Sequence, residues 1–436
     1  MAPRRRMKLG ALINASGHHP AAWTDPATPL DADSDVEHFV RLARTAERGL
    51  LDLFFLADVP AMRTAPIEIV RRWPHYTNVL EPLTALSAIA RETTRIGLGA
   101  TVSTSFDQPY TVARQFASLD RISHGRAAWN VVTTAAANAP LNYGLEELPD
   151  PAARYARADE FVGLVQSFWR TWDDDAFVQR RETSEYFRPE GLHLVEHEGA
   201  HFSVHGGALN LGRSAQGEPA IMVAGASNPG RDLAGKRADV VFAVGKDVDA
   251  VKAFSDDVRA RAVAHGREAA DVTVLGGISV VVGETTEAAE AAYRTLRERL
   301  DPEVARFRIA QDLEADLDGL AWDEPIPRER IPEGSKLFSA FKAELTRQVE
   351  EGRTLREIAL GYERGQGVWA GSPAAIADRM EEWHESGAVD GFIVTFQSMP
   401  AGLEGLVDGV VPELQRRGLF RTEYSAQTLR GHLRET

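Results

Sequence analysis

Eight short apolar runs, most of them followed by a stretch of helical spacing, constrain this chain more than any other feature. The runs are Lys8 to Asn14, Asp52 to Ala57, Arg95 to Val102, Arg126 to Val132, Ala220 to Ala224, Asp239 to Val244, Val272 to Val282 and Gly391 to Phe396. Strands this rich in Val, Ile, Leu and Phe are buried on both faces, which happens in parallel sheets covered by helices. Eight of them in alternation predict an α/β fold, a (β/α)8 TIM barrel. The helical stretches carry their own signals: Val36, Phe39, Val40, Ala43 and Ala46 fall on one face and stop at Gly49, while Pro82 and Pro109 stand at helix starts. Two interruptions, at about 173–218 and 301–364, read as insertions into a single barrel domain, the second charged, helical in pattern and placed as a lid.

The totals exclude several classes. A formal net charge of −15 repels nucleic acid and anionic membranes, so an anionic ligand needs a local basic site. No apolar run approaches the ~20 residues of a membrane span. Cysteine is absent, which removes thiolate and iron–sulfur chemistry and fits the cytoplasm. The basic opening MAPRRRM has no apolar h-region after it, so no signal peptide is expected. A Schiff-base barrel needs a lysine at a strand end, and only Lys246 stands near one. His193, His197, His201 and His205 recur every fourth residue, yet Gly199 and the alternating HFSVHGG favour a hairpin over a metal-binding helix, and no metal is expected.

In a barrel, chemistry gathers at the C-terminal strand ends. The residues there are mostly polar and neutral: Ser103, Thr104 and Ser105 after the third run, and Asn130, Thr133 and Thr134 around the fourth. Asp58 closes the second run, and His18 and His19 follow the first. Such a ring suits a polar heterocycle better than a metal. After the fifth run, Ser227 and Asn228 are N-cap residues, Pro229 suits the first helical position, and Arg231 sits in the first helical turn, where a cation opposes the helix dipole. The stretch reads equally as a phosphate cradle or as an ordinary turn with a surface arginine. Arg63, Arg71 and Arg72 are candidate receivers of a carboxylate or sulfonate. Trp73, Tyr76, Phe106 and Trp129 are candidate walls of an aromatic pocket, with surface and core the plainer readings.

Several motifs together resemble the bacterial-luciferase-like flavin monooxygenases, within them the nitrilotriacetate and dibenzothiophene-sulfone monooxygenase group. They are GHHPAAW (Gly17 to Trp23), FFLAD (Phe54 to Asp58), LEPLTALSAIA (Leu80 to Ala90), ARQFASLDRISHGRAAWNVVT (Ala113 to Thr133), RYARADEF (Arg154 to Phe161), AGASNPGR (Ala224 to Arg231) and VPELQRRGLFRTEY (Val411 to Tyr424). The resemblance implies a luciferase-like barrel that receives reduced FMN from a separate NAD(P)H:flavin reductase. With O2 it would oxidise a small organic substrate through a peroxyflavin, as a homodimer or homotetramer. It places Asp58, Ser103, Thr104, Asn130, Thr133, Tyr155, Ala226, Ser227 and Arg231 around the cofactor, with His18 and Asp58 at its reacting end. One position departs: the family usually has a histidine four residues before the tyrosine of its RY motif, and this chain has Pro151. That departure keeps two other readings in view, a riboflavin-cleaving enzyme and a flavin-binding protein without chemistry.

Overall fold

The computed structural model describes residues 6–334, 339–362 and 367–435. Eleven strands occur among them: β1 (Lys8–Ile13), β2 (Leu53–Leu56), β3 (Gly97–Ser103), β4 (Ala127–Val132), β5 (Val195–Glu198), β6 (Ser203–Gly207), β7 (Ala220–Val223), β8 (Val240–Ala243), β9 (Thr273–Val282), β10 (Val368–Gly371) and β11 (Gly391–Phe396). Eight parallel strands close on themselves in the order β1-β2-β3-β4-β7-β8-β9-β11, with β11 returning to β1 through Lys8↔Gly391. These are the eight predicted from the apolar runs, and the closed barrel is the expected (β/α)8 architecture.

The strand period of two divides the core into two layers. Leu53, Phe55, Ala128, Met222, Val240, Phe242, Leu275 and Ile393 fill the barrel interior, while Phe54, Leu98, Trp129, Ile221, Val241 and Phe392 face the helices. Gly99 allows this filling, because a Cβ there would stand 2.9 Å from the Met222 methyl. At the N-terminal end, Asp52 and Arg421 form an ion pair in which each side chain is 1% exposed, and Asp52 also accepts from the Leu9 backbone N–H at 2.7 Å. This pair ties the C-terminal segment under the barrel, and removing one partner would strand a buried charge at a cost of about 3–5 kcal/mol.

The insertions differ in kind. Residues 173–218 hold the antiparallel β5–β6 hairpin and irregular chain. Residues 301–364 hold helices Pro302–Leu313, Ser339–Glu350 and Leu355–Gly361, with positions 335–338 and 363–364 outside the described residues. They have their own apolar core, including Val304, Ile309, Leu313, Leu317, Leu345, Leu355 and Ile358. Each fully buried side chain of this size contributes about 1.5–3 kcal/mol. Ile69 and Trp73, from the loop after β2, complete that core. Strand β10 has no counterpart among the eight apolar runs. Its VWAG is too short to stand out by period, and it gains its place by pairing with the C-terminal half of β9, from Val368↔Ser279 to Gly371↔Val282.

Candidate active site

Above the apolar filling, the inward positions of the strands turn polar. Asn130 donates from Nδ2 to Thr101 Oγ1 at 2.9 Å, and its Oδ1 is buried with no hydrogen-bond partner. An orphaned buried acceptor of this kind costs about 1–3 kcal/mol unless a ligand satisfies it. Ser103 Oγ pairs with Thr134 Oγ1 at 2.6 Å, Thr104 Oγ1 donates to the Val132 carbonyl at 3.2 Å, and Ser105 Oγ donates to the Thr133 carbonyl at 2.8 Å. On the far side Gln397 Nε2 donates to Ser279 Oγ at 2.6 Å. Thr134 holds this arrangement at φ 51°, a conformation that β-branched residues rarely adopt.

The β1 and β2 ends carry the titratable groups. A cavity of about 150 Å³ is lined by Asn14, His18, Asp33, Asp58, His75 and Tyr76 together with apolar residues such as Leu56 and Leu80. Burial pushes His18 down to about 4, although its Nδ1 lies 3.2 Å from the Phe396 carbonyl. A carbonyl only accepts, so Nδ1 carries the proton and Nε2 remains an acceptor. Burial, with Arg63 and His18 adding to it, brings His75 to about 3, and Asn14 Nδ2 donates to its Nδ1 at 2.5 Å. Burial with the fields of Arg308 and Arg297 brings His19 to about 3, and its Nδ1 accepts from the Ala21 N–H at 3.2 Å. All three imidazoles are neutral at physiological pH. Asp58 moves the other way: burial, aided by Glu81, pushes it up to about 6. Gly17, at φ 117°, lets the β1 loop reach β11, because a Cβ there would lie 2.6 Å from the Gln397 carbonyl oxygen.

After β7 the backbone makes a tight concavity. Ser227 caps helix Asn228–Arg237 by accepting from the Gly230 N–H at 3.2 Å. A Cβ at Gly230 would stand 3.0 Å from Tyr155 Oη, 3.1 Å from Ser227 Oγ and 3.1 Å from the Gly225 Cα. Two glycines and two hydroxyls therefore converge on a space a side chain would fill. Arg231 lies in the first turn of the same helix. Its Nε donates to the Ala226 carbonyl at 2.9 Å, its Nη1 lies 3.2 Å from Asp257 Oδ2, and it stacks on Phe254. The sequence reading set Arg231 against the anion because a cation opposes the dipole at a helix start; the structure offsets that charge with Asp257 from the neighbouring helix. Pro151 is equally local in origin. It occupies the first position of helix Pro151–Trp169, behind Asp150, which accepts from the Ala152 and Ala153 N–H groups.

The other candidates separate. Trp129 is fully buried among Phe116, Phe161 and Trp169 and belongs to the core. Phe106 stacks on Tyr143 at 4.2 Å. Arg71 pairs with Glu68 and Arg72 with Asp301, whereas Arg63 lies on the Trp73 indole. The four histidines do not assemble: His193 meets Asp173, His197 meets Glu160 and His205 meets Glu198, and His201 lies outside both hairpin strands. Asn14, His75, Thr101, Ser279 and Gln397 escaped sequence reasoning. Thr101 was detectable, because GLGATVS places Gly97, Gly99, Thr101 and Ser103 on one strand face. His75 was not, since it lies in a loop without periodicity.

The fold and this mouth define a class, an α/β barrel whose strands end at their C-terminal side in polar groups. The signature of the family described as luciferase-like monooxygenase matches residues 13–390, and the chain belongs to that family. It is 38% identical to N-acetyl-S-(2-succino)cysteine monooxygenase of Bacillus subtilis, over 98% of this chain and 96% of that protein. It is also 38% identical to nitrilotriacetate monooxygenase component A of Aminobacter aminovorans, over 99% and 97%. Dibenzothiophene-sulfone monooxygenase of Rhodococcus erythropolis is 34% identical over 99% and 97%. Among solved structures, riboflavin lyase RcaE with modified FMN and riboflavin superimposes with a TM-score of 0.83 at 29% identity, covering 98% of this chain and 95% of the other. Family membership makes the protein an oxidoreductase of the monooxygenase class.

Proposed function

We propose that the protein is the oxygenase component of a two-component system, using reduced FMN and O2 to oxidise a small organic substrate. The observation that carries this reading is the close approach of Tyr155 Oη and Ser227 Oγ to the glycine backbone of Gly225 and Gly230, at the end of a barrel strand and the start of a helix. The orphaned Asn130 Oδ1 supports it, as an acceptor for an N–H of the flavin ring. Tyr155 and Ser227 then hold the phosphate, and Asn130, with the Ser103 to Thr134 hydroxyl pair and Thr133 nearby, orients the ring. Bound reduced FMN supplies the reaction with oxygen; the chain binds, orients and keeps water out.

His18 offers Nε2 as a neutral acceptor beside the cavity and can take a proton that a cation could not. Asp58, with its carboxyl held near pH 6, can keep or release a proton close to neutrality. Helices 302–313 and 355–361, packed with Trp73, cover the substrate side. A relative named component A supports a separate NAD(P)H:flavin reductase as partner. Among the described residues no helix is long and apolar enough to cross a membrane, in keeping with a cytoplasmic enzyme. A homodimer or homotetramer is the proposed assembly, to be read by light scattering.

The test is rapid mixing of the protein and reduced FMN with oxygenated buffer. Flavin oxidation slower than that of free FMN, quickened by substrate and yielding oxygenated product, is expected, with no activity from NADH alone. Oxidation at the free-flavin rate, with no product, leaves a flavin-binding protein without chemistry. The RcaE likeness sets a second outcome: loss of riboflavin itself from the mixture would identify flavin as the substrate.

A further inference from the structure

The end of the barrel opposite the polar mouth holds a cavity of about 480 Å³ whose lining reverses the sign of the molecule. It sits where the chain enters three strands: Gln216 and Glu218 precede β7, Asp239 precedes β8 and Asp271 precedes β9. Arg170 reaches it from the end of helix Pro151–Trp169, Lys236 and Arg237 from the end of helix Asn228–Arg237, and Arg430 and Arg434 from helix Leu429–Arg434. Arg213 and Arg267 bring the lining to seven cations against three carboxylates. Asp159 and Asp174, ion-paired to lining residues from outside it, raise the carboxylates to five. The lining and its ion-pair partners therefore keep a surplus of two positive charges. A neighbouring cavity, which shares Asp271 and Arg434, is lined by four cations and four carboxylates and is balanced.

The surplus falls on particular residues. Arg434 is exposed and makes no side-chain hydrogen bond or ion pair among the described residues. Lys236 and Arg237 share the one carboxylate of Asp159, Nζ to Oδ2 at 2.5 Å and Nε to Oδ1 at 3.0 Å. Arg267 donates to the carbonyls of Gly235, Ala238 and Asp271 at 2.7–3.2 Å, and these orient its guanidinium without neutralising it. Arg170 and Arg430, by contrast, are engaged by Glu218 and Asp239. Every lining residue is charged or an amide, so a ligand here is recognised by charge and hydrogen bonds and not by stacking or an apolar body. A planar carboxylate meets one guanidinium fork, whereas a phosphoryl group presents oxygens in several directions to cations arriving from several elements. In a chain of net charge −15 an anion settles only where positive charge is local, and this cavity supplies it. We propose that the cavity is a binding site for a small oligophosphate anion, held by Arg267, Arg434 and Lys236. It lies at the opposite end of the strands from the Gly225–Gly230 concavity and stands independently of the oxygenase reading.

The probes are tripolyphosphate, pyrophosphate, orthophosphate and citrate, titrated calorimetrically into the full chain at one constant, low ionic strength. Tripolyphosphate is expected to bind at least tenfold more tightly than orthophosphate, and pyrophosphate more tightly than citrate. Arg434→Gln and Lys236→Gln are each expected to weaken tripolyphosphate at least fivefold. Neither strands a buried charge, because Arg434 is exposed and Arg237 still holds Asp159, and thermal melts check that both variants fold. Arg41→Gln, which removes the same charge from the exposed face of helix Val36–Arg48, and Ser227→Ala, at the other end of the barrel, should leave the affinity unchanged. Four results overturn the proposal: no saturable binding, equal affinity for tripolyphosphate and orthophosphate, affinity unmoved in folded Arg434→Gln and Lys236→Gln, or a loss in Ser227→Ala that places the anion at the mouth. Citrate binding as tightly as pyrophosphate overturns the assignment to phosphate.

Discussion

The two halves of the barrel mouth are built from different chemistry. The half formed by β3, β4 and β7 presents hydroxyls, an amide and glycine backbone, and its hydrogen bonds are mostly internal: Ser103 with Thr134, Thr104 with the Val132 carbonyl, Asn130 with Thr101. The half formed by β1, β2 and the insertion presents three imidazoles, a carboxyl and guanidiniums, nearly all shifted or steered by burial and by one another. Groups with no charge to change hold a constant ligand at every pH. Groups that titrate, or that set a field, select a ligand and move its protons. On the proposed reading, the first half holds the cofactor and the second the substrate.

The largest effect expected on this division comes from Trp73→Ala. Trp73 joins the loop after β2 to the insertion core, and truncating a buried Trp costs about 3–5 kcal/mol locally. Limited proteolysis should open residues 61–80 and the insertion first, while FMN affinity stays within about twofold of the parent. Parallel loss of FMN binding would join the two halves into one cooperative site.

Gly230→Ala attacks the other half. The new methyl meets Tyr155 Oη, Ser227 Oγ and the Gly225 Cα at 3.0–3.1 Å, although alanine favours a helix. FMN affinity should fall about a hundredfold, two hydrogen bonds to a charged group, with thermal stability unchanged or raised. Ser227→Ala should cost about ten- to hundredfold for FMN and little for riboflavin, in matched fluorescence titrations. Equal losses for both flavins would remove the phosphate from this concavity.

The pH dependence of stability sharpens the comparison further. His75 binds its proton more weakly folded than unfolded, so its contribution is present above the unfolded value of about 6.5 and is lost as pH falls towards 3. By pH 5 the loss is about 2 kcal/mol, and His75→Gln should remove it from the melting profile. Asp58 runs the opposite way: its raised carboxyl destabilises the fold as pH climbs from about 4 through 6, so Asp58→Asn should stabilise at pH 8 and have no effect at pH 3.5. Melts of both variants between pH 4 and 8 measure the two slopes. Parallel slopes would contradict the assigned burial. The smallest effect belongs to Arg231→Ala, which loses a partly exposed pair with Asp257 and should alter FMN affinity by less than about twofold.

Most of the fold is legible in the sequence, and the site is legible in part. The eight apolar runs required a parallel barrel because a strand buried on both faces has few other places to go, and Ser227, Pro229 and Asp58 were readable as local chemistry at strand ends. The partner of Arg231, Asp257, lies on the next helix, 26 residues away, out of reach of local sequence reading. β10 escaped because four residues carry too little periodicity, and its strand character comes from the β9 edge it meets.

Local rules therefore determined which segments are strands and helices, where the helices begin, and that polar groups close the barrel strands, since each depends on neighbours within a few residues. Only the tertiary structure decided that Asn130 Oδ1 is left without a partner, that Tyr155 reaches the Gly225–Gly230 concavity, and that Arg63 and Arg308, 245 positions apart in the chain, share one indole. Burial and through-space fields depend on which elements close around a group, and chain separation does not encode them.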